Sequence, residues 1–204
     1  MADSKQEWNN VADTGEFVIA NLPNAQTFTL GTTGANATFD ISSIKMKMSK
    51  IDGSPGTISF AIRATSGGEP DGGDLSTGST NGNTLPTYPT SELREITMTS
   101  YELEASTQYA IIIEYSAGDD YLTSDAGDAY GGGTYLVNVG EWIDLETDTN
   151  FEVWGETVTA GTNAQINIGD DWKEISAAQI NIGDAWKAVA GMQINIGDTW
   201  KEIF

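Results

Sequence analysis

The chain has 204 residues and a formal net charge of −21 at pH 7, from 30 acidic and 9 basic residues. It contains no cysteine and no histidine, which excludes disulfide bonds, thiolate metal sites and Ser-His-Asp catalysis. The charge also argues against nucleic acid as a partner, because binding it depends on basic patches; the stretch from Glu95 to Trp172 holds 16 acidic residues and no Lys or Arg.

The first 20 residues are interpreted as a lead-in to the main domain. Their strong apolar features are Trp8 and the run from Phe17 to Ala20. The start of the chain lacks the pattern of a signal peptide, and the longest apolar runs, such as Tyr109 to Ile113, fall far short of a membrane span. We therefore expect neither a secretion signal nor a membrane partner.

Residues 21–160 are typical of an all-β domain, with short strands divided by Gly, Asn, Pro and Ser clusters. The segments with strand composition are residues 26–30, 41–48, 57–64, 94–98, 108–115, 134–139 and 151–158. Every second residue from Ile44 to Met48, and again from Ile58 to Ile62, is apolar, which predicts strands with one buried face. Strands at this spacing predict an antiparallel sandwich of two sheets.

Two segments of this domain are predicted to lack strands. Residues 65–91 are rich in Gly, Asp, Ser, Thr and Pro and are expected to form a long loop of the kind that often carries function. Residues 102–106 are the best candidate for a helical turn in a sequence with almost no helical periodicity.

Residues 161–204 contain an internal repeat. The pattern of residues 165–175 recurs in residues 179–189 and 193–203, each copy starting 14 residues after the last. Each copy has an alternating run, a Gly-Asp turn signal and a second run carrying Trp, which predicts three β-hairpins. We therefore expect a small three-hairpin module after the sandwich.

The register of these hairpins depends on loop length. A three-residue loop would place Ile168 opposite Trp172, and a two-residue loop would set Ile168 against Asp171. We favour the longer loop, because it gives each hairpin one apolar face. That face would mediate packing or assembly, through Ile168, Trp172, Ile182, Trp186, Ile196 and Trp200. The alternative is a ligand-binding edge repeated three times, but the shared side chains are those that a hairpin turn and core need in any case.

Several short motifs follow one another in order along residues 20–157. They are Gln26-Thr27-Phe28-Thr29, Ile41-Ser42-Ser43-Ile44-Lys45-Met46-Lys47-Met48, Gly53-Ser54-Pro55-Gly56-Thr57, Ser59-Phe60-Ala61-Ile62-Arg63-Ala64, Glu69-Pro70-Asp71-Gly72-Gly73-Asp74-Leu75, Tyr109-Ala110-Ile111-Ile112-Ile113, Tyr130-Gly131-Gly132-Gly133 and Phe151-Glu152-Val153-Trp154-Gly155. This series resembles the jelly-roll β-sandwiches called choice-of-anchor domains. Such domains recur in bacteriophage and environmental virion proteins and in bacterial surface proteins, and are similar in outline to carbohydrate-binding modules.

The C-terminal pattern Ile-Asn-Ile-Gly-Asp-x-Trp-Lys resembles the Trp-Lys hairpin repeats found at the ends of phage virion proteins. Together the two resemblances imply a jelly-roll-like sandwich and a phage setting, but they imply no reaction. The hypothesis is a non-enzymatic virion structural protein, made in the host cytoplasm, that decorates the head or forms part of a tail or fibre. Its partners would be other virion proteins or copies of itself, joined through the repeats.

Three further kinds of site follow from the resemblance or from the residues. Jelly-roll modules often hold a structural ion, so Asp71 and Asp74 in the Pro-Asp-Gly-Gly-Asp turn are candidate calcium ligands, ahead of the aspartate clusters at residues 119–120 and 125–128. None of these three clusters matches a complete calcium-loop spacing, and aspartates also sit in turns to cap backbone amides. No other cofactor is expected.

The alternative function is a carbohydrate-binding module that recognises a cell-surface glycan. Its aromatic platform would come from the loop tyrosines Tyr88, Tyr121, Tyr130 and Tyr135, although such tyrosines also pack on sandwich rims. Catalysis by paired carboxylates such as Glu102 and Glu104 has no support, because 30 acidic residues yield such pairs by chance. We therefore do not expect an enzyme.

Overall fold

The structure, a computed structural model, describes residues 3–10, 15–19, 22–51, 53–115, 122–126, 129–158 and the strands of the C-terminal hairpins. The chain divides into two compact units, Met1–Thr157 and Val158–Phe204. Within the described residues, helical structure is limited to the short 3-10 turn Gly82–Thr84. The prediction of an all-β protein is thus confirmed.

The described residues of the first unit form thirteen strands. They are β1 (Ser4–Asn9), β2 (Gly15–Ile19), β3 (Asn24–Thr29), β4 (Phe39–Lys50), β5 (Thr57–Ser66), β6 (Glu69–Asn81), β7 (Glu92–Thr97), β8 (Glu102–Leu103), β9 (Gln108–Tyr115), β10 (Leu122–Ala126), β11 (Tyr135–Asn138), β12 (Trp142–Asp144) and β13 (Phe151–Thr157). The second unit contains β14 (Gln165–Ile168), β15 (Asp171–Glu174), β16 (Gln179–Ile182), β17 (Ala185–Ala188), β18 (Gln193–Ile196) and β19 (Thr199–Glu202).

The strands of the first unit form two antiparallel sheets. The larger has the order β1-β13-β4-β10-β2, and β7 and β8 also pair with β4. The smaller has the order β12-β11-β3-β9-β5-β6. The chain crosses between the sheets many times, as from β3 to β4 and from β4 to β5, and the result is the predicted antiparallel sandwich of two sheets.

The core lies between the two sheets. Ile44, Met46 and Met48 are fully buried on β4, and Ile58 and Ile62 are fully buried on β5, as the alternation of apolar residues predicts. Burying each such side chain stabilises the fold by roughly 1.5–3 kcal/mol.

Aromatic side chains join the layers. Phe28 of the smaller sheet packs on Phe151 of the larger with ring centroids 5.9 Å apart. The Tyr130 ring meets the Phe151 ring edge-on at 5.2 Å. Such edge-on geometry is favoured by the charge distribution of aromatic rings, so Phe151 fixes the segment around Tyr130 against the core.

The lead-in predicted over residues 1–20 is built into the sandwich instead. Strand β1 pairs with β13 from Ser4↔Gly155 to Asn9↔Phe151, and β2 pairs with β10. The side chains of Gln6 and Glu7 on β1 are almost completely buried. Both strands take part in the larger sheet because its ladders satisfy their backbone groups, a partnership that local sequence does not reveal.

The long loop predicted over residues 65–91 is wrong for most of its length. Residues 69–81 form β6, which pairs with β5 from Ser66↔Glu69 to Thr57↔Asn81. The two residues between these strands, Gly67 and Gly68, have φ of 64° and 90°, a backbone that favours glycine and suits a two-residue hairpin loop. Pairing with a core strand thus overrides the weak strand propensity of the Gly- and Ser-rich sequence.

The helical turn predicted over residues 102–106 is also wrong at its start. Glu102 and Leu103 form the short strand β8, which pairs with Asp40 and Phe39 of β4. Leu103 is fully buried in the core. Burial of this side chain beside β4 therefore decides the local structure against a weak helical pattern.

Candidate functional site

The three C-terminal hairpins have the shorter of the two loops that the sequence allows. Ile168 pairs with Asp171 and Asn167 pairs with Trp172, so two residues separate the closing pair, not three. The favoured three-residue loop is therefore wrong. The physical reason is that a two-residue loop matches the twist of its strands, and glycine in first position suits a type II′ turn.

The same register occurs in all three copies. Trp186 pairs with Asn181 in the second hairpin, and Trp200 pairs with Asn195 in the third. Residues directly opposite each other share a face of the ladder, and neighbouring positions alternate. The Trp positions therefore share a face with Asn, and the Ile positions share the other face, so the single Ile-Trp face expected from the sequence does not form.

Each hairpin is a sheet of its own. The pairs β14-β15, β16-β17 and β18-β19 are separate two-stranded sheets, and among the described strands no ladder joins one hairpin to another. An isolated two-stranded hairpin is only marginally stable in water. The repeats therefore depend on packing of their faces for stability.

The calcium candidates Asp71 and Asp74 both lie exposed on β6. The Asp74 carboxylate accepts a hydrogen bond from Arg63 Nε at 2.6 Å. The described residues contain no group of three or more acidic side chains placed to hold a metal ion. The clusters at residues 119–120 and 125–128 fall wholly or partly outside the described side chains, so calcium binding stays a prediction.

The four candidate tyrosines do not form one platform. Tyr88 is 45% exposed, whereas Tyr130 and Tyr135 are buried in the core. Burial raises the pKa of the Tyr135 hydroxyl. Tyr121 lies outside the described residues. Two of the four rings therefore lie in the core, and glycan contact through Tyr88 and Tyr121 stays a prediction.

The structure contains a buried carboxylate, that of Glu7, which the sequence did not indicate. Glu7 has no exposed surface, and Tyr130 Oη lies 3.2 Å from Glu7 Oε1. Four successive backbone amides, those of residues 31–34, donate to the same carboxylate at 2.8–3.2 Å. Burial, and next the charge of Glu7, raise the pKa of Tyr130. The Glu7 carboxylate thus ties β1 to the loop at residues 31–34 and to Tyr130.

The loop that surrounds Glu7 has a sequence signal of its own. Gly31 has φ of 87°, and a Cβ on Gly34 would lie 1.6 Å from the Gln6 carbonyl oxygen. These two positions require glycine for conformation and for close approach to β1. The Gly-Thr-Thr-Gly stretch thus indicates a tight loop packed closely on a neighbouring strand. Nothing in the local sequence identifies Glu7 as the side chain that accepts hydrogen bonds from this loop.

A second carboxylate, Glu152 on β13, organises the adjacent surface. It accepts hydrogen bonds from Lys5 Nζ at 3.0 Å, Asn10 Nδ2 at 2.9 Å and Trp154 Nε1 at 2.7 Å. Lys5 Nζ also lies 4.7 Å from the centroid of the Trp8 ring. Burial of Glu152 acts to raise its pKa, but the donated hydrogen bonds outweigh it and leave the pKa below its usual value.

A cleft opens between these two carboxylate-centred networks. It is lined by residues 8–10, 32–33 and 129–131 and has a volume of about 480 Å³, and we call it the Trp8 cleft. Trp8 is half-buried, while Asn10, Thr32 and Thr33 are exposed. None of the eight lining residues carries a charge. Of the lining residues, Tyr130 is the one predicted from the sequence as a site residue.

Comparisons with known proteins assign the chain to no group. The sequence matches no protein-family model. No curated protein matches it significantly. Among the described residues, no helix is long and apolar enough to cross a membrane.

Proposed function

We propose that this chain is a non-enzymatic structural protein of a bacteriophage particle, attached to its neighbours through the C-terminal hairpin repeats. The observation that carries the proposal is the set of three separate two-stranded sheets with one shared register. A repeat unit that cannot bury its faces alone is stabilised by stacking on further layers.

The register adds to this argument. Because the Ile and Trp positions lie on opposite faces of each ladder, each hairpin has apolar residues to cover on both sides. A hairpin packed against one surface would cover only one of them. Neighbouring repeats, copies of the chain or another particle protein would supply the second layer, as expected of an assembly element.

The setting in a phage particle rests on the resemblance of residues 20–157 to choice-of-anchor sandwiches and of the repeats to Trp-Lys hairpins. The net charge of −21 is consistent with a protein that stays soluble before it is incorporated, because strong like charge opposes premature association. Head decoration and a tail or fibre position are both compatible with these features.

The first experiment measures molar mass in solution by light scattering, for the full chain and for a chain ending at Thr157. The shorter chain retains the whole of the first compact unit, so it is expected to fold. An oligomer that becomes a monomer on truncation supports the proposal. An oligomer that survives truncation contradicts it, because assembly would then belong to the sandwich.

A second experiment locates the assembly contact. Replacing Trp172, Trp186 and Trp200 together with Ala should abolish the oligomer while the circular dichroism of the sandwich is kept. The matched control replaces Lys173, Lys187 and Lys201 with Gln in the same strands. In the phage that encodes the protein, particles should also lose the Trp variant and retain the Lys variant; equal incorporation of both would refute attachment through the Trp face.

A second candidate function, binding of a glycan, is favoured by one separate observation. This is the uncharged Trp8 cleft, which belongs to the sandwich and not to the repeats.

A further inference from the structure

We propose that the Trp8 cleft binds a neutral saccharide. The proposal does not depend on the role of the hairpin repeats, because all the lining residues belong to the first unit. Its volume of about 480 Å³ falls within the range of small-molecule sites, about 300–1,000 Å³. The class of ligand follows from the lining, from what surrounds it and from how it is held.

The lining is uncharged in a strongly acidic protein. The chain carries a net charge of −21, yet no acidic or basic side chain lines the cleft. The lining therefore offers no cation to an anion and no carboxylate to a cation, and Lys5, whose Nζ lies 4.7 Å from the centroid of the Trp8 ring, is paired with Glu152. The half-buried indole of Trp8 and the exposed polar groups of Asn10, Thr32 and Thr33 remain.

These groups match the chemistry of a sugar ring. Amides and hydroxyls both donate and accept hydrogen bonds, as sugar hydroxyls do. An indole supplies a flat apolar surface beside them, which suits the carbon-bound hydrogens on one side of a pyranose. A purely apolar ligand would leave the polar lining without partners, at a cost of about 1–3 kcal/mol for each buried group.

The lining is also held in place before any ligand arrives. Backbone amides of Thr32 and Thr33 donate to Glu7 at 3.2 and 2.8 Å, and Asn10 Nδ2 donates to Glu152 at 2.9 Å. Both carboxylates are thus occupied by the protein's own donors. Their role is to position the lining residues, and this ordering lowers the entropic cost of binding.

The experiment uses the full chain on an array of neutral oligosaccharides made of glucose, galactose, mannose and N-acetylglucosamine, with sialylated and sulfated versions as the charged comparison. Retained neutral glycans are then titrated by calorimetry. We expect binding to one or more neutral glycans and no gain from added negative charge. Retention of charged glycans alone, or of none, would overturn the proposal.

Two variants locate the site. A Cβ on Gly131 meets no atom within 4 Å, so Gly131→Trp should fill the cleft without disturbing the fold, and Trp8→Ala removes the indole. Each should weaken binding at least tenfold. The control Tyr88→Ala alters an exposed tyrosine outside the cleft and should change affinity less than twofold.

Binding measurements on these variants test whether the sugar occupies the Trp8 cleft. Thermal unfolding first verifies that Gly131→Trp has kept its fold. Binding that survives in folded Gly131→Trp, or that is lost in Tyr88→Ala, would place the sugar elsewhere and refute the site. The chain ending at Thr157 should bind as tightly as the full chain, so failure of the assembly proposal leaves this test intact.

Discussion

Replacing Glu7 with Gln tests whether a buried carboxylate fastens the first strand to the sandwich. Glu7 Oε2 accepts from the amides of Gly31, Thr32 and Gly34 at 2.9–3.2 Å. Glu7 Oε1 accepts from Thr33 N at 2.8 Å. An amide side chain has one oxygen. The substituted Gln can therefore keep the three hydrogen bonds that Oε2 of Glu7 accepts, but it places its NH₂ group, a donor, against the Thr33 N–H.

The cost follows from these contacts. The Thr33 N–H, whose bond to Glu7 is partly buried, loses its acceptor at a cost of about 1 kcal/mol, and three hydrogen bonds to a charged acceptor become neutral ones, each weaker by about 1 kcal/mol. A neutral amide is cheaper to bury than a carboxylate, which offsets part of this loss. The expected net loss of unfolding free energy is about 2–4 kcal/mol, or a fall in Tm of roughly 5–15 °C for a unit of this size.

The assay is urea unfolding at pH 7 followed by tryptophan fluorescence, with thermal unfolding by circular dichroism alongside. The matched control is Glu69→Gln, which removes the same charge from an exposed site on β6 and should stay within about 0.5 kcal/mol of the parent chain. If Glu7→Gln costs less than about 1 kcal/mol more than the control, the carboxylate does not hold β1 in place and the reasoning fails.

Three other perturbations have directions that the structure decides. The pKa values of folded Tyr130 and Tyr135 are raised, so above pH 10 the unfolded chain releases tyrosine protons that the folded chain retains. The two tyrosines therefore contribute fully to stability below pH 10, and the free energy of unfolding falls as pH rises beyond it. Tyr135→Phe should flatten that fall in an alkaline unfolding series. Gly133→Ala places a Cβ 2.0 Å from the Thr27 carbonyl oxygen, whereas the Cβ of Gly131→Ala meets no atom within 4 Å. A thermal scan should therefore show a loss of stability of roughly 2 kcal/mol or more for Gly133→Ala and of under about 0.5 kcal/mol for Gly131→Ala. Glu152→Gln should cost roughly 1–3 kcal/mol of unfolding free energy at pH 7. Because the pKa of folded Glu152 is lowered, its contribution to stability is present above the unfolded pKa of about 4.3 and is lost as pH falls through the folded value. The stabilities of variant and parent should therefore converge in an acid titration.

Strands that bury one face can be read from local sequence. Alternation of apolar and polar residues is a local property with a period of two, and it located β4 and β5 to within a few residues, while the continuous apolar run from Tyr109 to Ile113 located β9. The repeated Gly-Asp signals likewise determined that the C-terminal segment contains three hairpins. These features follow from neighbours along the chain and need no knowledge of the fold.

Tertiary structure decided what depends on distant partners. Strand β6 is one case, since its sequence is typical of a loop and its pairing with β5 makes it a strand. The hairpin register is different, because it is set by turn geometry within each hairpin; two loop lengths are compatible with the same residues, and the structure pairs Asn167 with Trp172.

The candidate site also depends on contacts between distant parts of the chain. Tyr130 lies 123 residues from Glu7 along the chain, and their contact is set by the packing of β1 against a loop and a core aromatic. A glutamate in a strand gives no local sign that backbone amides will surround it. The cleft beside Trp8 therefore exists only where three distant segments meet, because side-chain burial and hydrogen bonding at such a junction are properties of the packed sandwich and not of any one segment.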